Sequence, residues 1–426
     1  MKKKSFFSMC AWVLLLGALA TLTSCVSERD ETPEVPTGDG TLVININSTP
    51  VGAMTRSTDL SSVTESTEKT VNNVVIGVFR PSTDGTNPNA KVEIMKLSSL
   101  NADLSSADLV KAMSVERASG STALSLQAGD VVLAVCNVPA DVVTNLEGAT
   151  TADGFRQTAF SIDNALIFND DTTPYANGGT EENPGKMPMY GEGTVSAHAT
   201  ISGGFTTTIT VRHMVAKVTL NQVKLVTSDA SQQFRITQVF LTHVAEKADF
   251  YYSDYSALTY GFNQTITNYY QGENSTIVNT DLKHGYRDYL STEALTAELT
   301  NAAPIYGTKH ILYTMPSGTT ADADVTRLVV KGNWSDDSGA NWSTDPVYYP
   351  IKLNNVSAIG AIGDAKVQPN SHYIIDLVIK HQGSSSADED ITATNTATAN
   401  VQHVDWTEQT VTSTFEAIGG DPTPTY

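Results

Sequence analysis

The amino-acid sequence predicts a mostly β protein built from two tandem β domains with a few short helices. The chain has 426 residues, a length that suits two ordinary domains. It is rich in Thr, Val, Ser, Asn and Gly, and β-branched residues suit a pleated surface that is buried on one side. Several segments alternate apolar and polar residues, as strands with one buried face do.

The first element is a secretory signal that ends in a lipidation motif. A run of Lys precedes an apolar stretch from Phe6 to Ala20, and the sequence LTSC then ends at Cys25. The stretch is too short for a stable membrane span, and LTSC resembles a bacterial lipobox. We therefore expect residues 1–25 to be a lipoprotein signal peptide and Cys25 to carry lipid, including palmitate. The alternative is an ordinary secretion signal that happens to end in Cys.

An acidic tether and a strand follow the signal. Residues 26–40 contain Pro and lack large apolar groups, so we expect them to bury nothing. The segment TLVININS, residues 41–48, alternates Leu42, Ile44 and Ile46 with mainly polar neighbours. This period predicts a strand with one buried face, and we expect it at the edge of the first sheet.

A single Arg follows in a segment of small residues. The stretch VGAMTRSTDL places Arg56 among Gly, Ser and Thr. Irregular exposed backbone can enter the cleft of a trypsin-like protease, so Arg56 is a candidate cleavage site with Ser57 as the new N-terminus. Two alternatives stay open. Arg56 is an ordinary solvated loop residue, or the cut falls at Arg29 in the tether, which would free the lipid without removing the strand.

The rest of the first half is predicted to form strands around a short helix. A near-continuous apolar run, Asp130–Pro139, is typical of a central strand and contains Cys136 as a small core residue. The stretch SSLNADLSSADLVKAMS predicts a short helix around Asp103–Ser114. The other predicted strands are VNNVVIGVF, one entered through the turn MPMYGEG, and TTTITVRHMVAKVTL (residues 206–220).

After about Asp229 the pattern repeats faintly. RITQVFLTHV resembles VNNVVIGVF, and HILYTMP resembles VVLAVCNVP, which indicates a second β domain in tandem. Further strands are predicted for TRLVVKGNW, VYYPIKL and HYIIDLVIK. A polar spacer, His381–Asn400, leads to VQHVDWTEQTVTSTF at residues 401–415, which again has strand composition. A strand beyond a spacer can close its own domain or reach a neighbouring molecule.

Composition and motifs argue against several classes of function. A formal net charge of −20 at pH 7 repels nucleic acid and anionic headgroups. Of the three Cys, Cys10 and Cys25 lie in the signal, so Cys136 alone remains and no internal disulfide can form. A thiol inside an apolar run is a poor nucleophile, and no phosphate-binding loop is present. We expect no enzymatic activity and no cofactor. His372 and His381 lack partners at metal-ligand spacing, so no metal site is predicted.

The order of these segments resembles the fimbrillin family, the major fimbrial subunits of type V pili in Gram-negative anaerobes. The resemblance runs over nearly the whole chain and is carried by the lipobox, the first strand, the Arg loop, MPMYG, VRHMVAKVTL, QPNSHYIIDLVIK and NVQHVDW. It implies two transthyretin-like β-sandwich domains and an outer-membrane lipoprotein precursor. It also implies that an Arg-specific protease removes the N-terminal strand and that the C-terminal segment of the next subunit fills the groove.

Carried onto this sequence, the resemblance places lipid on Cys25 and the cut between Arg56 and Ser57. Together with the repeat that begins after about Asp229, this gives a lipoprotein signal over 1–25, a propeptide with the removable strand over 26–56, domains over 57–228 and 229–390, and a C-terminal extension over 391–426. The partners are identical or related pilus subunits arranged head to tail, the maturation protease, and the outer membrane in the precursor. The mature protein would then lie at the cell surface, with a receptor that the sequence does not identify.

The candidate donor strand lies in the C-terminal extension. Its large apolar residues are Val401, Val404, Trp406, Val411 and Phe415. An open sheet edge recruits another strand, and a head-to-tail contact propagates into a filament. Val404 and Trp406 could equally close the second sheet of their own subunit.

Two alternatives to a shaft subunit remain. One is an outer-membrane glycan-binding lipoprotein that keeps its lipid and its first strand, with the Tyr-rich stretch Asp249–Phe262 as a contact surface. The other is a tip or anchor subunit of the same pilus. A tip needs a groove but no donated tail, whereas an anchor keeps Cys25, and the long C-terminal extension favours the shaft.

Overall fold

The structure is a computed structural model. It describes residues 41–48, 69–81, 90–104, 107–114, 126–138, 140–161, 187–200, 204–245, 247–249, 269–271, 297–316, 325–353, 367–387 and 397–405. Most of these residues lie in strands, which confirms the mostly β prediction.

The strands and helices follow one another along the described chain. The strands are β1 (Thr41–Ser48), β2 (Thr70–Arg80), β3 (Ala90–Asp103), β4 (Leu109–Ser114), β5 (Val131–Cys136), β6 (Ala159–Ser161), β7 (Met189–Thr194), β8 (Ser196–Ala197), β9 (Phe205–His213), β10 (Ala216–Leu225), β11 (Gln233–Ala245), β12 (Lys247–Asp249), β13 (Tyr269–Gln271), β14 (Ala297–Leu299), β15 (Ile305–Tyr306), β16 (His310–Thr314), β17 (Arg327–Ser335), β18 (Val347–Lys352), β19 (Ser371–Ile379) and β20 (Ala397–Asp405). The helices are α1 (Ala140–Glu147) and α2 (Ala152–Arg156).

The first half of the chain forms a curled sheet with the strand order β3-β2-β5-β7-β9-β1-β4, and β8 pairs with β9. The curl is at β9, because only its last two residues pair with β7, whereas Phe205 to Val211 pair with β1. Alternate residues of β1, β2, β5 and β9 then meet in one hydrophobic cluster. Its members include Leu42, Ile44, Ile46, Val74, Ile76, Val78, Val132, Ala134, Cys136, Ile209 and Val211.

Two glycines in the MYGEG segment explain how β7 crosses β9 so closely. A Cβ atom on Gly191 would lie 2.4 Å from the Thr210 carbonyl oxygen, and one on Gly193 would lie 2.7 Å from that of Thr208. No side chain tolerates such contacts with backbone, so only glycine fits. The turn-and-strand prediction for Met187–Gly193 is confirmed by β7.

The other face of β2 and β5 is covered by the two helices. Phe79 packs edge-on against Phe155 of α2 with ring centroids 5.7 Å apart, and Leu146 of α1 is buried in the same cluster. Thr151 caps α2 because its hydroxyl oxygen accepts from the Gly154 N–H at 3.0 Å. β5 is therefore covered on both faces, which explains its near-continuous apolar sequence and the buried Cys136.

The second half forms two further sheets. One has the order β15-β10-β19-β20 with β16 on β10, and the other has β13-β11-β17-β18 with β14 on β11. Inward side chains of both sheets share one core, as in a β-sandwich. Phe234 of β11 and Tyr349 of β18 meet edge to face within it, with centroids 5.1 Å apart.

The predicted long strand 206–220 is in fact two strands that belong to different sheets. It breaks at Met214 and Val215, between β9 and β10. Asn370, with a φ of 53°, holds this break, because its side-chain oxygen accepts from His213 N–H at 3.1 Å and its own N–H donates to the Val215 carbonyl at 3.0 Å. β10 therefore pairs with strands of the second half, while the domain bounds 57–228 and 229–390 stay predictions.

The helix predicted around Asp103–Ser114 is wrong. The described part of this stretch ends β3 at Asp103 and forms β4 from Leu109 to Ser114. β4 pairs antiparallel with β1 along six residues. The long-range ladder thus overrides a short local pattern that fits either structure. Neither α1 nor α2, nor any other described segment, is a helix long and apolar enough to cross a membrane.

Candidate functional site: the slot that holds β1

β1 lies in a slot between two strands instead of at the sheet edge. It pairs parallel with β9, from Leu42 opposite Phe205 to Ser48 opposite Val211, and antiparallel with β4. β4 is the outer strand and, within the described residues, pairs only with β1. The prediction of an edge position is therefore wrong, because β4 adds a strand outside β1. Removing β1 would take a ladder partner from both neighbours.

The inward side chains of β1 are fully buried, as its alternation predicts. Leu42, Ile44 and Ile46 are each no more than 1% exposed. Burial of such a side chain stabilises the fold by about 1.5 to 3 kcal/mol. β1 is therefore held by its ladders and by its core contacts, so cutting the chain beside it does not by itself release it.

The geometry leaves β1 with one covalent route to the rest of the fold. β1 ends at Ser48 and β2 starts at Thr70, in the opposite layer of the curled sheet. Arg56 and Ser57 lie within this connection but outside the described residues. A cut there would separate β1 from every later strand while its non-covalent contacts remain.

Some polar groups around the slot have hydrogen-bond partners and others have none. The Thr210 hydroxyl on β9 donates to Asn47 Oδ1 at 2.8 Å, and the Ser48 hydroxyl donates to the Leu104 carbonyl at 3.2 Å. By contrast, the Thr207 hydroxyl and Asn45 Oδ1 are buried and have no hydrogen-bond partner among the described residues. Thr207 is 2% exposed and lies directly opposite Ile44, whose side chain cannot form a hydrogen bond.

The structure separates the predicted donor residues into two groups. Val401 and Val404 lie in β20, which pairs antiparallel with β19 of the same chain from Ala397 to Asp405, and Val401 is buried. Of the two possibilities left open for Val404, this fold contains the one in which it closes its own sheet. Trp406, Val411, Phe415 and the lipidation residue Cys25 lie outside the described residues.

Two residues of the site were missed by sequence reasoning. Leu109 of β4 lies opposite Ile46, and Thr207 of β9 lies opposite Ile44. β4 was assigned to a helix, and Thr207 stands in a run of three Thr residues in which only burial distinguishes it. Alternation along TTTITV gave the only available signal, since it places Thr207 on the face shared with Ile209 and Val211.

The described part of the chain shows no group of three His, Cys, Asp or Glu side chains arranged to hold a metal. His372 is buried on β19, with Nε2 2.8 Å from the Thr219 hydroxyl, and His381 is exposed. His372 belongs to a sheet of the second half, whereas the slot lies between β9 and β4, where Lys111 of β4 is opposite Ile44.

Comparison with known proteins shows which solved structures share this fold. No protein-family model and no curated protein matches the sequence. Among solved structures, a proposed cell adhesion protein from Bacteroides eggerthii is 17% identical, with a TM-score of 0.53 over 88% of this chain and 98% of its own. One from Parabacteroides distasonis is 12% identical, with a TM-score of 0.53 over 87% and 98%. A fimbrilin from Porphyromonas gingivalis is 14% identical, with a TM-score of 0.50 over 87% and 98%.

The chain has the fold of a fimbrilin. The likeness spans most of this chain and nearly all of each of these three structures.

Cys136 offers a natural probe of that slot. It is fully buried in the cluster that contains Leu42, Ile44 and Ile46, and burial raises the pKa of its thiol to about 12. At pH 8 we expect it to react with a thiol reagent far more slowly in the precursor than in unfolded chain, because about a thousandfold less thiolate is present. Removal of β1 should speed the reaction, as measured by time-resolved labelling and mass spectrometry. Equal rates before and after removal would mean that the cluster stays closed.

Proposed function

We propose that this chain is the precursor of a polymerising fimbrial subunit at the cell surface. Lipid on Cys25 would hold the precursor at the outer membrane, and an Arg-specific protease would cut between Arg56 and Ser57. A C-terminal strand of the next subunit would then displace β1 from its slot and take its place. The proposed activity is assembly, and no step of it requires catalysis by the chain itself.

The position of β1 is the observation that carries this proposal. A strand between β9 and β4 can be replaced by another strand that pairs with both, so the incoming segment regains two ladders. It also recovers the area that Leu42, Ile44 and Ile46 had buried. A head-to-tail contact of this kind does not close on itself, so it builds a filament. The fold shared with a fimbrilin and with proposed cell adhesion proteins agrees with this role.

The donated segment is proposed to lie after β20. β20 completes the sheet of its own subunit on β19, and its residues Ala397 and Val401 are buried there. Taking β20 away would open a second groove in the donor itself. The residues after Asp405, which include Trp406, Val411 and Phe415, can be donated without that loss.

The tip and anchor alternatives use the same slot and differ in processing. An anchor would keep Cys25 and its lipid, whereas a tip would accept a strand and donate none. A glycan-binding lipoprotein would keep β1 in place. The state of the mature N-terminus therefore distinguishes these roles.

The proposal is tested by replacing Arg56 with Ala in native cells. We expect the variant to accumulate as monomeric precursor that retains β1, because the connection to β2 stays intact. Wild-type protein should begin at Ser57 and form a high-mass ladder after mild detergent treatment. Intact-mass measurement and gel analysis of both proteins report these states.

Arg29→Ala is the matched control, because it removes an Arg on the other side of β1 and leaves the proposed cleavage site unchanged. It should leave both the Ser57 terminus and the ladder unchanged. A wild-type protein found only with lipidated Cys25 would support the anchor or glycan-binding role. A normal ladder from the Arg56→Ala variant would contradict cleavage-triggered assembly.

A further inference from the structure

The slot of β1 also indicates which residues of the incoming strand occupy it. We propose that residues 411–417 of a neighbouring copy enter parallel to β9, with Val411, Ser413 and Phe415 in the places of Leu42, Ile44 and Ile46. This inference rests on the proposed strand exchange and adds its segment, direction and register. Val411 would then face Phe205, Ser413 would face Thr207, and Phe415 would face Ile209.

At the middle inward position of β1, the slot favours Ser413 over Ile44. Thr207 is 2% exposed and its hydroxyl lacks a hydrogen-bond partner among the described residues, and Ile44, directly across from it on β1, cannot supply one. A buried hydroxyl without a partner destabilises a fold. Ser413 in the place of Ile44 would bring a hydroxyl, which is both a donor and an acceptor, beside that of Thr207. At this position β1 therefore matches β9 less well than the incoming strand would.

The outward-facing positions of β1 favour the same register and direction. In this register Glu416 takes the place of Asn47, whose side-chain oxygen accepts the Thr210 hydroxyl at 2.8 Å. A carboxylate accepts the same hydrogen bond. Thr414 takes the place of Asn45, whose buried Oδ1 has no partner among the described residues. The exchange would therefore remove a buried carbonyl oxygen that forms no hydrogen bond. The reversed direction would put Thr410 opposite Thr210 and lose the carboxylate there.

The tail contains this pattern once. Residues 410–416 read TVTSTFE, with Val411 and Phe415 four residues apart on one face and only Thr and Glu on the other. The alternative register, with Trp406, Glu408 and Thr410 facing inward, offers one large apolar side chain instead of two and recovers less of the apolar area that β1 buries. Five residues, 406–410, separate this segment from the end of β20 and would connect one subunit to the next.

A disulfide test distinguishes this register from its alternatives. Thr208 is exposed on β9 and faces Asn45, so Thr414 would lie opposite it. Directly opposed residues have the Cα separation that a disulfide needs. We expect the Thr208→Cys/Thr414→Cys chain to give an oxidised ladder on a non-reducing gel, and the matched Thr208→Cys/Thr412→Cys chain to give little. Wild type, which carries only Cys136 after maturation, is the background control.

The reverse result, with the 412 pair cross-linked and the 414 pair free, would overturn the register and direction. Filaments in which neither pair cross-links would overturn them as well. A wild-type protein that forms no filament would instead contradict strand exchange itself. The two failures are therefore separable.

A second measurement does not depend on cross-linking. Ser413→Ala should slow assembly by about tenfold, because Thr207 again lacks a partner. In a chain that also carries Thr207→Val, the same Ser413→Ala change should alter the rate less than about twofold, because the hydroxyl is gone. Equal slowing in both backgrounds would overturn the Ser413–Thr207 pairing. Ser413→Thr keeps the hydroxyl and should restore most of the rate.

Discussion

Replacing Ile44 by Asp is expected to destabilise the precursor by about 2 to 5 kcal/mol, because it removes a buried apolar side chain and buries a carboxylate that Lys111, opposite it on β4, offsets only in part. Ile44 is 1% exposed and lies between β9 and β4. The same change cannot affect a mature subunit that starts at Ser57, since residue 44 has been removed. Urea denaturation of the precursor and of the separately produced mature chain measures both effects.

Asn47→Asp provides the control for charge in the same strand. Asn47 points outward and accepts a hydrogen bond from Thr210, which a carboxylate also accepts. This variant should unfold within about 1 kcal/mol of wild type, as most surface changes do. An Ile44→Asp precursor as stable as the Asn47→Asp precursor would mean that β1 contributes little to the closed fold.

A weakened β1 has a further consequence for assembly. Because Ile44 is one of the three side chains that β1 buries in the core, an Ile44→Asp precursor should exchange strands before it is cut. We expect small amounts of ladder from this variant even when Arg56 is replaced by Ala. This result would separate the role of the protease, which removes a covalent link, from the role of the slot, which selects the occupant.

Much of the fold follows from local pattern, and the slot shows where that stops. The bounds of β1 agree with the predicted strand, because burial of one face imposes a period of two that is visible in residues 41–48. The neighbours of β1 could not be obtained this way. β4 is a strand because β1 lies beside it, and its short sequence does not exclude a helix.

The break between β9 and β10 was also missed, although the apolar residues shift there from odd positions, ending at Val211, to even positions, starting at Met214. Met214 and Val215 are both fully buried, so the run stays apolar through the break. The chain changes sheet there because Asn370, more than 150 residues away, binds the backbone on both sides. Such a contact depends on the folded topology and so lies beyond any pattern in the segment itself.

Ending the chain after Asp405 is expected to abolish assembly without unfolding the subunit. β20 stays intact, so its pairing with β19 and the burial of Val401 are kept. The melting temperature should stay within about 2 °C of wild type, because no described core contact is removed. The processed chain can accept a strand but has none to donate, so size-exclusion chromatography should show monomer. Added to wild-type subunits, it should occupy one end of each filament and shorten it.

Two matched truncations show which part of the tail matters. Ending after Gly419 keeps residues 411–417 and should assemble normally, whereas ending after Thr396 deletes β20 and should lower the melting temperature through the exposed edge of β19. A filament from the chain that ends at Asp405 would contradict a donor located after β20. In that case β20 itself would have to leave β19, and the donor would expose its own core to fill that of its neighbour. Keeping folding and donation on separate segments avoids that loss, because each subunit can then close its second sheet before it meets a partner.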